Sequence, residues 1–373
     1  MYYQNGSKNM VLSSVIMLRK KTILFILPSL KAGGSERVVS FLAKNINPKI
    51  FSTHLIVIGY KKDCVFDISG LPVSFLNCDR ALFSILKLFV IFYRHKPSII
   101  FSTIGHVNLL MGFFSLFFQK TKFVGRESSV FSLMNKISGR NSRIYNLLYQ
   151  VFYSRLDFII CQSEDMKNDL CRTLNLSASK VIIINNPITH ETKRTYNKVF
   201  VRDIIRFITV GRLSDEKGYL RLLQGLSYVK SYDFFYTIVG SGPQERLIKE
   251  HVNLLNLGSK INFVNYTSNV LDIIMKHDVY LQGSFVEGFP NALLESCSVG
   301  IPAIAFNVPG GTREIIQDGI NGILVNDIQD FIKTLNNNIL LRSFDNNIVR
   351  LSVQDNFNAT KIINKYEVLF NSL

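Results

Sequence analysis

Short, continuous apolar runs alternate with amphipathic ones along most of the chain. TILFILP (22–28) is apolar throughout, as a parallel strand buried on both faces should be. SERVVSFLAKNI (35–46) follows with helical spacing, and THLIVIGY (53–60) returns to a strand-like run. The same alternation predicts strands over 98–103, 122–127, 157–163 and 180–186. It continues with strands over 205–211, 234–240, 260–265, 279–284 and 302–307, with helical stretches between most of them. Repeated strand-then-helix units with buried strands predict a doubly wound α/β architecture, with enough strands for two sheets. A polar, basic stretch, PITHETKRTYNKVFVRD (187–203), separates the two strand series. The predicted organisation is an extension at 1–20, a first α/β domain at 21–190, a linker at 191–203 and a second α/β domain at 204–355. A C-terminal helix at 356–373 is placed to pack back on the first domain.

Composition supports two folded domains: 373 residues, 47% hydrophobic and 19% charged, exclude a disordered chain. The net charge of +16 is uneven. Residues 1–190 carry 24 Lys and Arg against 9 Asp and Glu, whereas residues 191–373 carry 19 against 18. One half therefore meets something anionic. The five cysteines are odd in number and show no CxxC spacing, which disfavours a disulfide framework or a zinc ribbon and predicts reduced thiols in a cytosolic protein. The apolar runs 81–93 and 104–118 are shorter than the roughly 20 residues of a spanning helix and are interrupted by Lys87, His106 and Asn108. The N-terminal apolar run, 11–18, lacks a cleavage site and has its basic cluster on the wrong side for a signal peptide. A compact fold can begin at Lys21, which makes Met17 an alternative start.

In open α/β sheets, ligands bind beyond the carboxyl ends of the strands, so the loops after strands are where chemistry is expected. The first strand runs into SLKAGGSERVV. Gly33 and Gly34 permit close backbone approach, Ser35 can cap the following helix, and such a helix start attracts phosphate. Taken alone, the same residues also make an ordinary tight turn. The segment is neither a Walker P-loop nor a complete GxGxxG, and no acidic residue ends the second strand to hold a ribose. In the second half, strand 205–211 runs into GRLSDEKG, where Arg212 and Lys217 can clamp a diphosphate or simply stand solvated beside Asp215 and Glu216. Strand 234–240 runs into GSGPQE, with Gly240 and Gly242 again allowing close approach.

The most informative element is EGFPNALLESCSVG (287–300). Glu287 lies in a loop, Pro290 suits a helix start and Gly300 a helix end. Glu295 lies in that helix. One carboxylate comes from the loop and the other from the helix, with the turn amides of Phe289–Ala292 between them. This arrangement suits a phosphate with sugar hydroxyls on either side.

Residues 205–325 resemble the donor-binding domain of the retaining family 4 glycosyltransferases of GT-B fold. The resemblance rests on GRLSDEKG, VGSGPQE, EGFPNALLE with its E-x7-E spacing, and GIPAIAFNVPGGTREIIQDGINGILV. LPSLKAGGSERV is similar to the family's N-terminal glycine loop. The resemblance implies two Rossmann-like domains facing each other across a cleft. It implies a retaining, metal-independent transfer from a nucleotide-diphosphate sugar, with no cofactor. UDP is chosen as the nucleotide because it is common in the family. Arg212 and Lys217 would hold the diphosphate, Glu295 the ribose hydroxyls and Glu287 the donor sugar. Gly34 would lie close to the diphosphate from the opposite domain, and the amides of Phe289, Asn291 and Ala292 would lie near Glu287 and the donor sugar. Gly33, Gly242 and Gly288 would belong to the same donor site, and Val264 to Tyr266 would border the base.

Two catalytic candidates lie in the first half. His106 and Asn108 follow strand 98–103, while Arg126 and Glu127 end strand 122–127, and all four are expected to face the cleft. His106 could bond the transferred sugar or a phosphate, and Glu127 could orient the acceptor hydroxyl. Each is equally readable as a loop residue or helix cap.

The apolar 81–93 and the mixed FSLMNKISGRNSRIYNLLYQVFYSR (131–155) read as faces for an anionic bilayer, or else as core helices with a solvated basic loop. Docking is expected through Lys136, Arg140 and Arg143, with an apolar residue such as Phe131 in the interface. The expected acceptor is a lipid-linked, polyprenyl-diphosphate glycan of surface polysaccharide synthesis, met at the inner face of the cell membrane by a cytoplasmic, peripheral enzyme. No nucleic-acid module is recognisable, and the oligomeric state is left open. A nucleotide-sugar epimerase of the same fold and a non-catalytic membrane-associated binding protein are the alternatives. Glycoside hydrolysis by the two carboxylates would leave the phosphate-binding features without use.

Overall fold

The computed structural model describes residues 20–139, 142–190, 204–267 and 269–373. The extension 1–19, Met17 within it, Arg140 and the linker 191–203 lie outside the described residues. The first body runs β1 (Lys21–Leu27), α1 (Gly34–Asn45), β2 (Phe51–Val57), β3 (Val73–Phe75), α2 (Ile85–His95), β4 (Ile99–Thr103), α3 (Gly105–Phe114), β5 (Lys122–Arg126), α4 (Phe131–Ile137), α5 (Arg143–Tyr153), β6 (Phe158–Cys161), α6 (Glu164–Leu174) and β7 (Val181–Ile183). The second runs β8 (Ile204–Val210), α7 (Tyr219–Ser227), β9 (Asp233–Val239), α8 (Glu245–Leu254), β10 (Ile261–Val264), α9 (Val270–Ile274), β11 (Val279–Gln282), α10 (Asn291–Ser298), β12 (Ala303–Phe306), α11 (Thr312–Ile315) and β13 (Gly322–Val325). It closes with α12 (Ile328–Leu335), α13 (Asn338–Arg342), α14 (Asn346–Phe357) and α15 (Ala359–Ser372).

The strands form two sheets, ordered β3-β2-β1-β4-β5-β6-β7 and β10-β9-β8-β11-β12-β13. All pairings are parallel; Phe25, for example, lies opposite both Leu55 and Phe101. Every strand predicted from the apolar runs is present. Two more, β3 and β13, have no counterpart in the pattern, because both are partly exposed edge strands of three and four residues, too short to stand out as apolar runs. In each sheet the chain reverses its winding direction once, between β1 and β4 and between β8 and β11. Those are the points where a crevice opens at the strand ends.

The last helix belongs to the first body. Ile362, Tyr366, Leu369 and Phe370 of α15 are buried with β1, β2 and β4 in one core cluster. The Phe370 ring packs edge-on against Phe25, Phe51 and Phe101, at centroid distances of 6.4, 6.2 and 5.8 Å. Lys21 Nζ also donates to the Phe370 carbonyl at 3.2 Å.

Candidate active site

The strand-end loops of the two sheets face each other across a cleft of about 940 Å³, near the upper end of the roughly 300–1,000 Å³ usual for small-molecule sites. Loops after β1, β8 and β11, three of the four strands at the two switch points, supply much of its wall.

From the second body, Lys217 and Glu287 meet directly: Lys217 Nζ lies 2.6 Å from Glu287 Oε1, which also accepts from Ser284 Oγ at 2.5 Å. Both side chains are mostly buried. Arg212 is exposed at the cleft edge and makes no ion pair among the described residues. The helix predicted after Glu287 is α10, with Pro290 at its N-cap and Gly300 in the left-handed region, φ +87°, just past its end. Glu295 is buried on α10 and forms an ion pair with Arg37 of α1 across the cleft, while His190 Nε2 stands 4.0 Å from the same Oε1. Burial lowers the His190 imidazole; Glu295 acts against that shift and Arg37 with it.

The two bodies approach closely at glycines. A Cβ on Gly288 would sit 2.2 Å from the Ser128 carbonyl, so only glycine lets the Glu287 loop close against the loop after β5. Beside it, Asn291 donates from Nδ2 to the Gly34 carbonyl at 3.3 Å and accepts from Asn186 Nδ2 at 2.8 Å. Gly242 serves a different contact from the one expected. Its missing Cβ makes room for the Leu213 carbonyl, so the loops after β8 and β9 pack on each other along the cleft wall.

Gly33, Gly34, Arg212, Lys217, Gly242, Tyr266, Glu287, Gly288, Phe289, Asn291, Ala292 and Glu295 all line the cleft. The Phe289 ring packs in the core against Phe357, with centroids 5.5 Å apart. Val264 does not line the cleft. It lies one layer back, where its carbonyl accepts from Gly240 N at 2.9 Å, and Tyr266 and Thr267 hold the wall instead.

The first-body candidates are placed differently from expectation. His106 is exposed on the first turn of α3 and is not part of the cleft wall. Glu127 is buried behind it: the Tyr153 hydroxyl donates to its Oε1, and Asn108 Nδ2 donates to the same oxygen at 3.1 Å. Burial pushes the Glu127 carboxyl above the usual carboxylate range, against those hydrogen bonds and the charge of Arg126. Asn108 is also buried, held by Ser102 and by the Arg126 carbonyl. β5 alternates its faces, so Arg126 reaches the cleft and Glu127 does not. Arg126 lines the floor, donating to Ser35 Oγ at 2.9 Å and Asn186 Oδ1 at 2.6 Å, with no carboxylate at ion-pair distance among the described residues. Ser35 is therefore not a cap. It lies inside α1 and bonds Arg126 and, at 2.8 Å, Thr103.

Among the cleft residues without an assignment from the sequence are Arg37, Asn186 and Ile104. Arg37 follows Gly34 by three residues, a helical spacing that puts both on one face, so its place was open to inference. Ile104 holds φ +72°, a costly conformation for a β-branched residue and one with no sequence signature.

Two facing parallel-sheet domains with this cleft define a GT-B sugar-transferase architecture. Residues 32–192 match the family described as Glycosyltransferase Family 4 and residues 197–349 match Glycosyl transferases group 1. The chain belongs to the family 4 glycosyltransferases of GT-B fold, and it is an enzyme of that transferase class. A Campylobacter jejuni relative, N-acetylgalactosamine-N,N'-diacetylbacillosaminyl-diphospho-undecaprenol 4-alpha-N-acetylgalactosaminyltransferase, is 26% identical over 80% of this chain and 84% of its own. The Escherichia coli UDP-Gal:alpha-D-GlcNAc-diphosphoundecaprenol alpha-1,3-galactosyltransferase is 25% identical over 57% of this chain and 59% of its own. Among solved structures, Anabaena HepE in complex with UDP-glucose superposes with a TM-score of 0.80 at 17% identity, over 94% of this chain and all of that one.

Proposed function

We propose that the protein moves a sugar from a UDP-sugar to a polyprenyl-diphosphate-linked glycan in surface polysaccharide synthesis. Transfer proceeds with retention and without a metal, at the inner face of the cell membrane. The observation that carries this reading is the Lys217–Glu287 pair, 2.6 Å apart, set beside the start of α10 with Glu295 one helix turn further in. Lys217, Arg212 and the α10 amides offer positive charge to the leaving diphosphate, the role a metal would otherwise have. Glu287, held by Lys217 and Ser284, accepts from donor-sugar hydroxyls, and Glu295 accepts from the ribose. In a front-face step the acceptor oxygen bonds to the anomeric carbon as the bond to the phosphate oxygen breaks, and that oxygen takes the acceptor proton. Glu127, buried in its network with Tyr153 and Asn108, has no part in the step. Arg126, on the cleft floor, is a first-body cation that lines the same cleft. The Campylobacter and Escherichia relatives, both named for undecaprenol-diphosphate acceptors, support the acceptor class.

The test is transfer from a panel of UDP-, GDP- and ADP-sugars to undecaprenyl-diphosphate-linked N-acetylhexosamine in detergent, with and without EDTA. Product configuration is read by NMR. A UDP-sugar should be used, EDTA should not matter, and the anomer should be retained. Loss of activity with EDTA, an inverted product, or use of only GDP- or ADP-sugars would each overturn the corresponding part. Glu295→Gln should weaken free UDP binding, whereas Glu287→Gln should lower turnover with the whole donor. The reverse pattern would exchange their roles.

A further inference from the structure

The first body exposes an unusual amount of apolar side chain on one side. On α5, Ile144, Leu147, Leu148 and Val151 follow helical spacing and face solvent, with Ile144 74% and Leu147 59% exposed. The opposite stripe of α5, Tyr149 and Tyr153, is buried in the core. A second exposed stripe runs from Leu82 and Phe83 through Leu86, 82% exposed, and Val90 to Tyr93 on α2. The end of α3 joins the two. Phe117, itself 56% exposed, packs against Phe89 of α2 and Phe113 of α3, at centroid distances of 6.2 and 5.3 Å, and Phe113 packs against Phe152 of α5 at 6.1 Å. Scattered apolar residues are ordinary on a protein surface; two aligned stripes joined by a ring ladder are not.

Charge identifies what covers them. From Arg80 to Arg155 the sequence has eleven Lys and Arg and a single acidic residue, Glu127, which is buried. Arg80, Arg94, Lys120, Lys136, Arg143 and Arg155 are exposed. A second copy docked through the same face would set one basic rim against another. An apolar face with a mostly basic rim, exposed Asp79 beside Arg80 being the exception, matches a bilayer that carries anionic headgroups. Among the described residues no helix is long and apolar enough to cross a membrane. Phe131, expected to insert, is instead buried against Tyr149 and Tyr153.

We infer that the α2–α3–α5 face of the first body inserts its apolar stripes into an anionic bilayer. The same body supplies Ser128, Ser129 and Met134 to the cleft wall. This rests on the lipid-linked acceptor proposed above and names the surface through which the enzyme meets it.

The experiment is vesicle co-sedimentation of the full chain, with UDP calorimetry on the same samples. The vesicles are phosphatidylcholine alone or with about 30% phosphatidylglycerol, at about 0.15 and 1 M NaCl. Wild type should prefer the anionic vesicles and keep part of its binding at high salt. Ile144→Ser/Leu147→Ser should lower the salt-resistant fraction by about ten-fold, with UDP affinity unchanged. Lys136→Gln/Arg143→Gln should lower only the salt-sensitive part. Wild-type binding that vanishes at high salt, a serine variant that binds like wild type, or a wild-type dimer that the serine variant breaks would each overturn insertion. A failure of the transferase reading is separate: it would appear as no UDP binding by any variant, whatever the vesicle result.

Discussion

Arg37 and Glu295 join the two bodies through an ion pair in the floor of the cleft, the carboxylate almost wholly buried and the guanidinium mostly so. The pair engages Oε1, and a carboxylate has a second oxygen with which to accept hydroxyls. Domain closure and the proposed ribose contact thus share one side chain. Arg37→Ala leaves a buried carboxylate without its cation, and free UDP binding should weaken by about ten-fold or more. Arg37→Lys should recover part of the loss, because an ammonium can still reach. Calorimetry with UDP and with uridine checks this. Both ligands should suffer alike, since the ribose is common to them; a loss confined to UDP would move Arg37 to the diphosphate.

Lys217 and Arg212 should not be equivalent. Lys217→Ala removes a cation and also releases Glu287, so binding and turnover should both fall. Arg212 has no ion pair to break, and Arg212→Ala should weaken UDP binding by about ten-fold, the worth of a charge-assisted contact, without changing thermal stability. Steady-state kinetics and calorimetry together separate the two. Equal effects on every parameter would remove the distinction.

Burial raises the Glu127 carboxyl in the folded protein above its usual range. The folded state then holds its proton more tightly than the unfolded state. The resulting stability is present at pH below the unfolded value and is lost as pH rises through the folded one. Glu127→Gln keeps an oxygen for Tyr153 and Asn108 and removes the titration. The melting temperature of the variant relative to wild type should therefore be higher at pH 7 than at pH 4.5, with the acceptor KM unchanged. A constant difference across that range would mean that Glu127 does not titrate differently on folding.

The donor half was legible because its chemistry is local. Arg212, Lys217, Glu287 and Glu295 lie on loops or a helix start following strands that apolar runs mark plainly, and all four line the cleft. The acceptor half depends on facts that adjacency in sequence does not carry. Arg126 and Glu127 are neighbours, yet the pleat sends one to the cleft and the other into a polar network with Tyr153, a residue 26 positions away. His106 is exposed on the first turn of α3, and the pattern of the sequence does not say which way that turn presents it. On α5 the mixture of Tyr, Leu and basic residues does not say which side is core, and it is the tyrosines, not the aliphatic residues, that are buried. Packing partners on α3 and α4 decided that.

Because α15 completes the first body's core, the chain cannot finish that body in the order in which it is made. A nascent segment ending at residue 190 lacks Ile362, Tyr366, Leu369 and Phe370, the side chains that cover Phe25, Phe51 and Phe101. Domains made first usually fold first during synthesis. Here the earliest sheet must wait, with part of the face that α1 begins to cover still open, until the entire donor half has left the ribosome.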